Sequence, residues 1–261
     1  MNTIFCFLIC ILATTIGAIS GIGGGVIIKP VLDALSGWPA ATISFLSGCT
    51  VLSMSVVSLL RSRGDGVKIE KKQGTLLAAG AAAGGVLGKE IFDVIRSFFG
   101  NPSMIGRIQN IIMIFLTAFV LWYQINREKI RSRQVEHAAG CLAIGLMLGL
   151  LSAFLGIGGG PVNLAVLYYF FSMETKTAAV NSIYIIFFSQ ITSLASTLMK
   201  GSVPEFPACA LAAMITGGIL GGFAGSVFSR HLSSRQVDIL FAVLLIMIIG
   251  ISGYNVYHYW F

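Results

Sequence analysis

Two identical glycine-rich runs are the residues whose type and spacing best indicate chemistry. The run Gly21-Ile22-Gly23-Gly24-Gly25 recurs unchanged as Gly156-Ile157-Gly158-Gly159-Gly160. Glycine disfavours a helix by about 1 kcal/mol per residue, so each run is expected to break the chain before the short apolar stretch that follows, 26–36 or 161–172. A helix that starts there exposes free backbone N–H groups and the positive end of its dipole, which favour anions. Two such helix starts that face one shared cavity predict a site for a small oxyanion. Its candidate binding glycines are Gly21, Gly23, Gly24, Gly25, Gly156, Gly158, Gly159 and Gly160.

Polar side chains close to the glycine runs are candidates to complete this site. Asn163 follows the second run, and Pro161 occupies the first position of the expected helix, where proline is favoured. Ser47 and Ser182 lie on the next apolar segments and share the offset of 135 residues that relates the two runs. Each such group either lines an anion path or bonds to a neighbouring helix, and the sequence leaves both interpretations open. The further candidates on these segments are Thr50, Asn181 and Gln190.

Other glycines and charges have simpler interpretations. Glycines four residues apart let helix backbones approach closely, so two such series predict tight helix packing. Lys29, the basic residue of the first short stretch, is expected to pair with Asp33 or to extend to the membrane interface. The alternative is that Lys29 gives positive charge to an anion path. The two packing series are Gly80, Gly84 and Gly88, and Gly217, Gly221 and Gly225.

The elements that must position these residues are long apolar segments. Hydrophobic residues form 56% of the 261 residues and charged residues only 10%, whereas a soluble domain has about 25% charged residues. A membrane span needs roughly 20 apolar residues, and its backbone must be helical because lipid offers no hydrogen-bond partner. The predicted fold class is therefore an all-α membrane protein with about eight long hydrophobic helices. They are expected near 2–20, 39–60, 73–92, 104–124, 137–155, 177–199, 207–229 and 236–257.

The order of landmarks along the chain predicts two duplicated halves. The glycine run recurs in each half, and Gly84-Gly85-Val86-Leu87-Gly88 is followed later by the similar Gly217-Gly218-Ile219-Leu220-Gly221. We divide the chain into a first repeat over 1–124, a basic linker over 125–136 and a second repeat over 137–261.

The halves can be arranged in two ways. If each glycine run is the tip of a re-entrant hairpin, each half has three full crossings and the second half is inverted. If 2–20 and 137–155 cross completely, each half has four crossings and the halves are parallel. Inversion is favoured because it places three later basic residues, Lys176, Arg230 and Arg235, on the side of the basic loops 61–72 and 125–136.

At the glycine runs the sequence resembles the sulfite exporter TauE/SafE family of anion permeases. The resemblance rests on GIGGGVIIKPVL at 21–32 and GIGGGPVNLAVL at 156–167, where Ala165 replaces the Pro30 of the first copy. It implies a multi-pass protein of the bacterial inner membrane. It also implies transport of sulfite, a sulfonate or a related sulfur-containing or organic anion, with the glycines of both runs as binding positions.

Patterns typical of enzymes are missing from the sequence. No HExxH, GxxxxGK[ST] or GxSxG pattern occurs, and His137, His231 and His258 have no ligand spacing. We therefore expect no catalysis, cofactor or metal. Basic residues that flank apolar spans also argue against nucleic acid. The expected partners are a small anion and membrane lipid, and a homo-oligomer stays open.

Three functional hypotheses follow from these patterns. The leading one is a secondary carrier that works by alternating access between its two repeats. The alternatives are a non-transporting membrane scaffold or assembly subunit, and an anion channel.

Overall fold

The computed structural model describes residues 3–62, 71–99 and 102–259. Within these ranges the chain forms ten α-helices and no strand, and the basic residues Arg63 and Lys68 lie outside them. The helices are α1 (Thr3–Ser20), α2 (Gly25–Leu35), α3 (Ala40–Ser62), α4 (Lys71–Phe99), α5 (Pro102–Asn126), α6 (Ala138–Leu155), α7 (Gly160–Phe171), α8 (Thr175–Met199), α9 (Ala208–His231) and α10 (Ser234–His258).

Eight of these helices are long and apolar enough to cross a membrane, and only α2 and α7 are short. The all-α, multi-pass membrane fold with eight long helices is therefore confirmed. One boundary differs clearly, since α4 continues to Phe99 and not to about 92. The charges in its last turns find partners, because Lys89 pairs with Asp93 at 3.1 Å and Glu90 pairs with Lys200. Because these charges are paired, the helix continues past the end of the apolar segment.

Close glycine contacts join helices of the first half of the chain to helices of the second half. The helix α4 packs against α6, and a Cβ on Gly84 would lie 2.1 Å from the carbonyl oxygen of Leu146. The helix α9 packs against α1, and a Cβ on Gly221 would lie 2.6 Å from the carbonyl oxygen of Ile11. The packing interpretation of both glycine series is confirmed.

Hydrogen bonds between helix ends define the two faces of the bundle. The linker face holds the chain between α5 and α6, where the Arg133 and Val135 N–H groups donate to the Tyr169 and Phe170 carbonyls at the end of α7. The helix α7 therefore returns to the face where α6 begins. On the opposite face, Thr42 at the start of α3 donates to the carbonyl of Glu205, just before α9.

The first hairpin is re-entrant from the opposite face. The helix α1 runs in the same direction as α9, because Gly217 contacts Phe7 and Gly225 contacts Thr15. It therefore starts on the opposite face, and α2 returns there, since α3 begins on that face. If α1 and α6 crossed the membrane completely, Thr42 and Glu205 would lie on different faces, and their hydrogen bond could not form. The contacts therefore fit the inverted arrangement, while the duplication of the halves stays a prediction.

Candidate functional site

Each glycine run forms a turn that ends one helix and begins the next. Gly21 and Gly156 have φ angles of 78° and 65°, and Gly23 and Gly158 have φ angles of 74° and 81°. Gly159 adds a third left-handed residue to the second run, with φ of 82°. Glycine adopts this region without steric cost, whereas other residues are strained there. The turns end α1 and α6 and redirect the chain into the short helices α2 and α7.

The starts of α2 and α7 pack against the opposite glycine run. A Cβ on Gly25 would lie 2.5 Å from the carbonyl oxygen of Ile157, and a Cβ on Gly160 would lie 2.7 Å from that of Ile22. Neither helix start has a side-chain cap. The free N–H groups of both first turns, with the positive dipole ends, therefore meet in the buried interior.

Apolar side chains fill the space between the two runs. Val51 on α3 would contact a Cβ on Gly23 or Gly158 at 3.7 or 3.0 Å. Ile186 on α8 would contact the same two positions at 3.2 and 3.4 Å. Both side chains are fully buried. The predicted shared cavity between the runs is therefore filled by Val51 and Ile186 in this conformation.

Asn163 is the polar side chain most closely associated with the second run. It is 1% exposed, and a Cβ on Gly159 would lie 2.9 Å from its Oδ1 atom. Within the described residues neither its Oδ1 nor its Nδ2 has a hydrogen-bond partner. A buried polar group without a partner destabilises a fold by about 1–3 kcal/mol, so Asn163 is placed to bind something else.

Three serine hydroxyls near the runs also have no partner within the described part of the chain. The Oγ atom of Ser44 would lie 2.5 Å from a Cβ on Gly156. Ser47 is one helical turn from Val51, and Ser182 is one turn from Ile186, so each lies on the helix face that meets the runs. These hydroxyls and Asn163 can donate hydrogen bonds to an oxyanion.

The structure places the other three sequence candidates differently. The amide nitrogen of Gln190 lies 3.5 Å from Ser152 Oγ, near the end of α6. Asn181 donates to its own helix at the Thr177 carbonyl, and its Oδ1 atom has no partner among the described residues. Thr50 also donates within its own helix and packs towards α9 at Gly218, so it is not brought to the runs.

A cavity on the opposite face reaches the second glycine run. Its volume is about 30 Å³. Gly156, Ser44 and Gln190 form its inner wall, and Lys89 and Arg96 are its basic residues. No acidic residue lines it among the described residues, but Lys89 is paired with Asp93, so Arg96 is the lining residue whose charge favours an anion.

A second cavity opens from the linker face towards the first run. Its volume is about 340 Å³, and its basic residues are Lys176 and Arg230. Ala179 in its wall lies against Gly21, since a Cβ on that glycine would lie 2.3 Å from the Ala179 Cα atom. At the offset of 135 residues between the two runs, Ala179 corresponds to Ser44, which lines the first cavity.

Lys29 does not reach the interface and does not bind Asp33. Its side chain is buried, and Nζ donates to Gln109 Oε1 at 2.6 Å and to the Leu155 carbonyl. Asp33 instead accepts from Asn110 and from the Tyr259 hydroxyl. The expected pair or interfacial position was wrong, because the end of α6 offers Lys29 unsatisfied carbonyls in the interior.

Several residues of this region were missed by sequence reasoning. Val51 and Ile186 share the offset of the glycine runs, and that offset was the available signal. Lys89 and Arg96 look like interface charges in sequence, and only the packing of α4 against α8 places them in a cavity. Gln109 gives no signal, because its partner Lys29 is 80 residues away.

Comparisons with known proteins agree with this architecture. A family model described as "Sulfite exporter TauE/SafE" matches residues 6–252. "Probable membrane transporter protein YunE" of Bacillus subtilis is 25% identical over 95% of this chain and 96% of its own length. A "Probable membrane transporter protein" of Haemophilus influenzae is 27% identical over 95% of this chain and 93% of its own length. No solved structure matches the chain significantly.

Proposed function

This chain belongs to the TauE/SafE sulfite exporter family, and from that membership we propose that it is a secondary transporter whose substrate is sulfite, a sulfonate or a related small anion. The family and the similar probable transporters indicate that the general function is membrane transport and not catalysis. The observation that carries the choice of substrate class is the meeting of two uncapped helix starts in a buried interior.

The chemistry of the site supports an oxyanion. Backbone N–H groups at helix starts, the Asn163 amide and the hydroxyls of Ser44, Ser47 and Ser182 are donors that suit sulfite or sulfonate oxygens. Low local dielectric strengthens each such hydrogen bond once water is excluded.

The two cavities support alternating access as the mechanism. The cavity on the opposite face reaches Gly156, the linker-face cavity ends at Ala179 beside Gly21, and Val51 and Ile186 fill the space between the two runs. The linker-face cavity is the larger, about 340 Å³ against about 30 Å³. A rocking motion of the two halves would widen one cavity while narrowing the other. The closed apolar centre favours this carrier mechanism over an open anion channel.

The positive-inside rule orients the protein in this proposal. Arg127, Lys129, Arg131 and Arg133 lie in the linker, and Lys176 and Arg230 lie close to the same face. That face is therefore the cytoplasmic one in this proposal, and we propose the inner membrane as its location from the family membership.

Uptake by purified protein in liposomes tests the function. We expect saturable uptake of labelled sulfite or a small sulfonate, with competition by unlabelled anion. The variant Gly159→Ala should lose most of the flux, because it strains a left-handed residue and places a methyl group against the Asn163 amide.

The matched control is Gly37→Ala. Gly37 is also left-handed, with φ of 66°, but no atom lies within 4 Å of the position that a Cβ would take there. The change therefore adds strain without crowding the site, and it should retain flux. Absence of flux for every anion in a panel would favour the scaffold, and uptake that does not saturate would favour the channel.

A further inference from the structure

We propose that Lys29 makes the second glycine run the principal anion site, by neutralising the carbonyl end of α6 beside it. This inference rests on the proposed function, because it assigns the transported anion to residues 156–160. Lys29 acts here as a positioning residue for charge and has no direct contact with the anion.

The tip of a re-entrant hairpin brings two helix ends of opposite partial charge close together. The helix α6 ends at Leu155, and α7 starts only five residues later at Gly160. The carbonyl end of one helix carries partial negative charge, and the N–H end of the next carries partial positive charge. At one glycine turn these charges largely cancel, so the turn attracts an anion weakly unless something masks the carbonyls.

Lys29 and Gln109 together mask them at the second run. The Lys29 amino group donates to the Leu155 carbonyl, and the Gln109 amide donates to the Phe154 carbonyl at 2.6 Å. Lys29 also donates to Gln109 Oε1 at 2.6 Å, which orients that amide. Both hydrogen-bond partners of Lys29 are neutral acceptors, and the Asp33 carboxylate, one helical turn away, accepts from Asn110 and Tyr259 and not from Lys29.

The first run has no equivalent group among the described residues. At the shared offset of 135 residues, Lys29 corresponds to Leu164, which is fully buried and apolar. Near the end of α1, Ser20 donates within its own helix to the Ile16 carbonyl. Among the described side chains that are fully buried, Lys29 is the only charged one.

The unpartnered polar groups select the same run independently. Asn163 lies against Gly159, whereas its counterpart in the first half is Ile28. Ser44 lies against Gly156, whereas its counterpart against Gly21 is Ala179. Two donors without partners among the described residues, Asn163 and Ser44, therefore lie at the run beside Lys29, and their counterparts at the first run are apolar.

Charge and hydrogen bonding at position 29 are separable by substitution. In sulfite uptake, Lys29→Gln keeps a donor but removes the charge, and we expect its KM to rise about tenfold. Its kcat should change little, since the binding step is the one affected. Lys29→Arg keeps both properties and should restore a KM close to that of the unmodified protein. Lys129→Gln removes the same charge from the exposed linker and should leave KM unchanged.

The outcomes distinguish this inference from the proposed function. Uptake with an unchanged KM in Lys29→Gln would overturn the role of Lys29 and leave the transporter intact. Absence of uptake by the unmodified protein would overturn the function itself. If Lys29→Gln does not fold, Gln109→Leu exposes the Phe154 carbonyl from the other partner. That variant should raise KM severalfold, and an unchanged value would contradict the proposal.

Discussion

Unpartnered polar side chains near the second glycine run destabilise the protein unless a ligand, such as the proposed anion, binds them. Asn163 is the strongest case, because both polar atoms of a fully buried amide lack partners among the described residues. Asn110 shows the ordinary situation, since its amide donates to Asp33 and to the Gly106 carbonyl. Two buried asparagines in one protein thus differ in whether the fold satisfies them.

This difference predicts opposite effects for the same substitution. Asn163→Leu should raise the free energy of unfolding by about 1–3 kcal/mol, because it removes an unsatisfied buried group, and should weaken uptake of sulfite. Asn110→Leu should lower stability, because the Asp33 carboxylate loses a donor. Thermal unfolding in detergent and uptake in liposomes measure the two effects. A less stable Asn163→Leu protein would show that the amide has a structural partner.

At the scale of elements, the long helices are held together by backbone contact at glycine. The pairs α4–α6 and α9–α1 approach so closely that a single methyl group has no room. Glycine weakens a helix in isolation, yet in lipid the close approach gains van der Waals contact that larger residues prevent.

Glycine-to-alanine changes should therefore have opposite signs at packed and open sites. Gly84→Ala places a Cβ 2.1 Å from the Leu146 carbonyl oxygen and should cost about 1–3 kcal/mol of stability. Gly250→Ala, on α10, meets no atom within 4 Å and should gain up to about 1 kcal/mol through helix propensity. Melting temperatures of the two variants provide the comparison. Equal shifts would mean that the packing at Gly84 is loose enough to adjust.

The sequence was sufficient to place these elements but not to complete the site. Apolar length and glycine runs predicted eight long and two short helices, because lipid imposes those lengths. The Lys89–Asp93 ion pair explains why α4 extends beyond its predicted end, since paired charges are tolerated at positions where a single charge is not. The contact of Lys29 with Gln109 and Leu155 depends on three helices meeting, and no local pattern encodes that meeting.

At the scale of the whole molecule, the re-entrant hairpins enter from opposite faces and their tips meet. Contacts such as Thr42 with Glu205 and Arg133 with Tyr169 fix which helix ends share a face. Of the cavities on the linker face, the one lined by Ala179 approaches the first glycine run, and the cavity on the opposite face reaches the second run at Gly156. The proposed alternating access then requires only that one of these cavities widens while the other narrows.

The assignment of helix ends to the two faces predicts from which side of the membrane each single cysteine is labelled. In a background with all five native cysteines replaced by alanine, Ser202→Cys should react with an impermeant maleimide added outside the cell. Ser234→Cys should react only after the cytoplasmic side is exposed, and Ser132→Cys in the linker is the control for that side. Full crossing of α1 and α6 would exchange the results at 202 and 234 while leaving 132 unchanged. Because the exchange affects two sites and spares the third, it cannot be mistaken for poor permeability or lost expression.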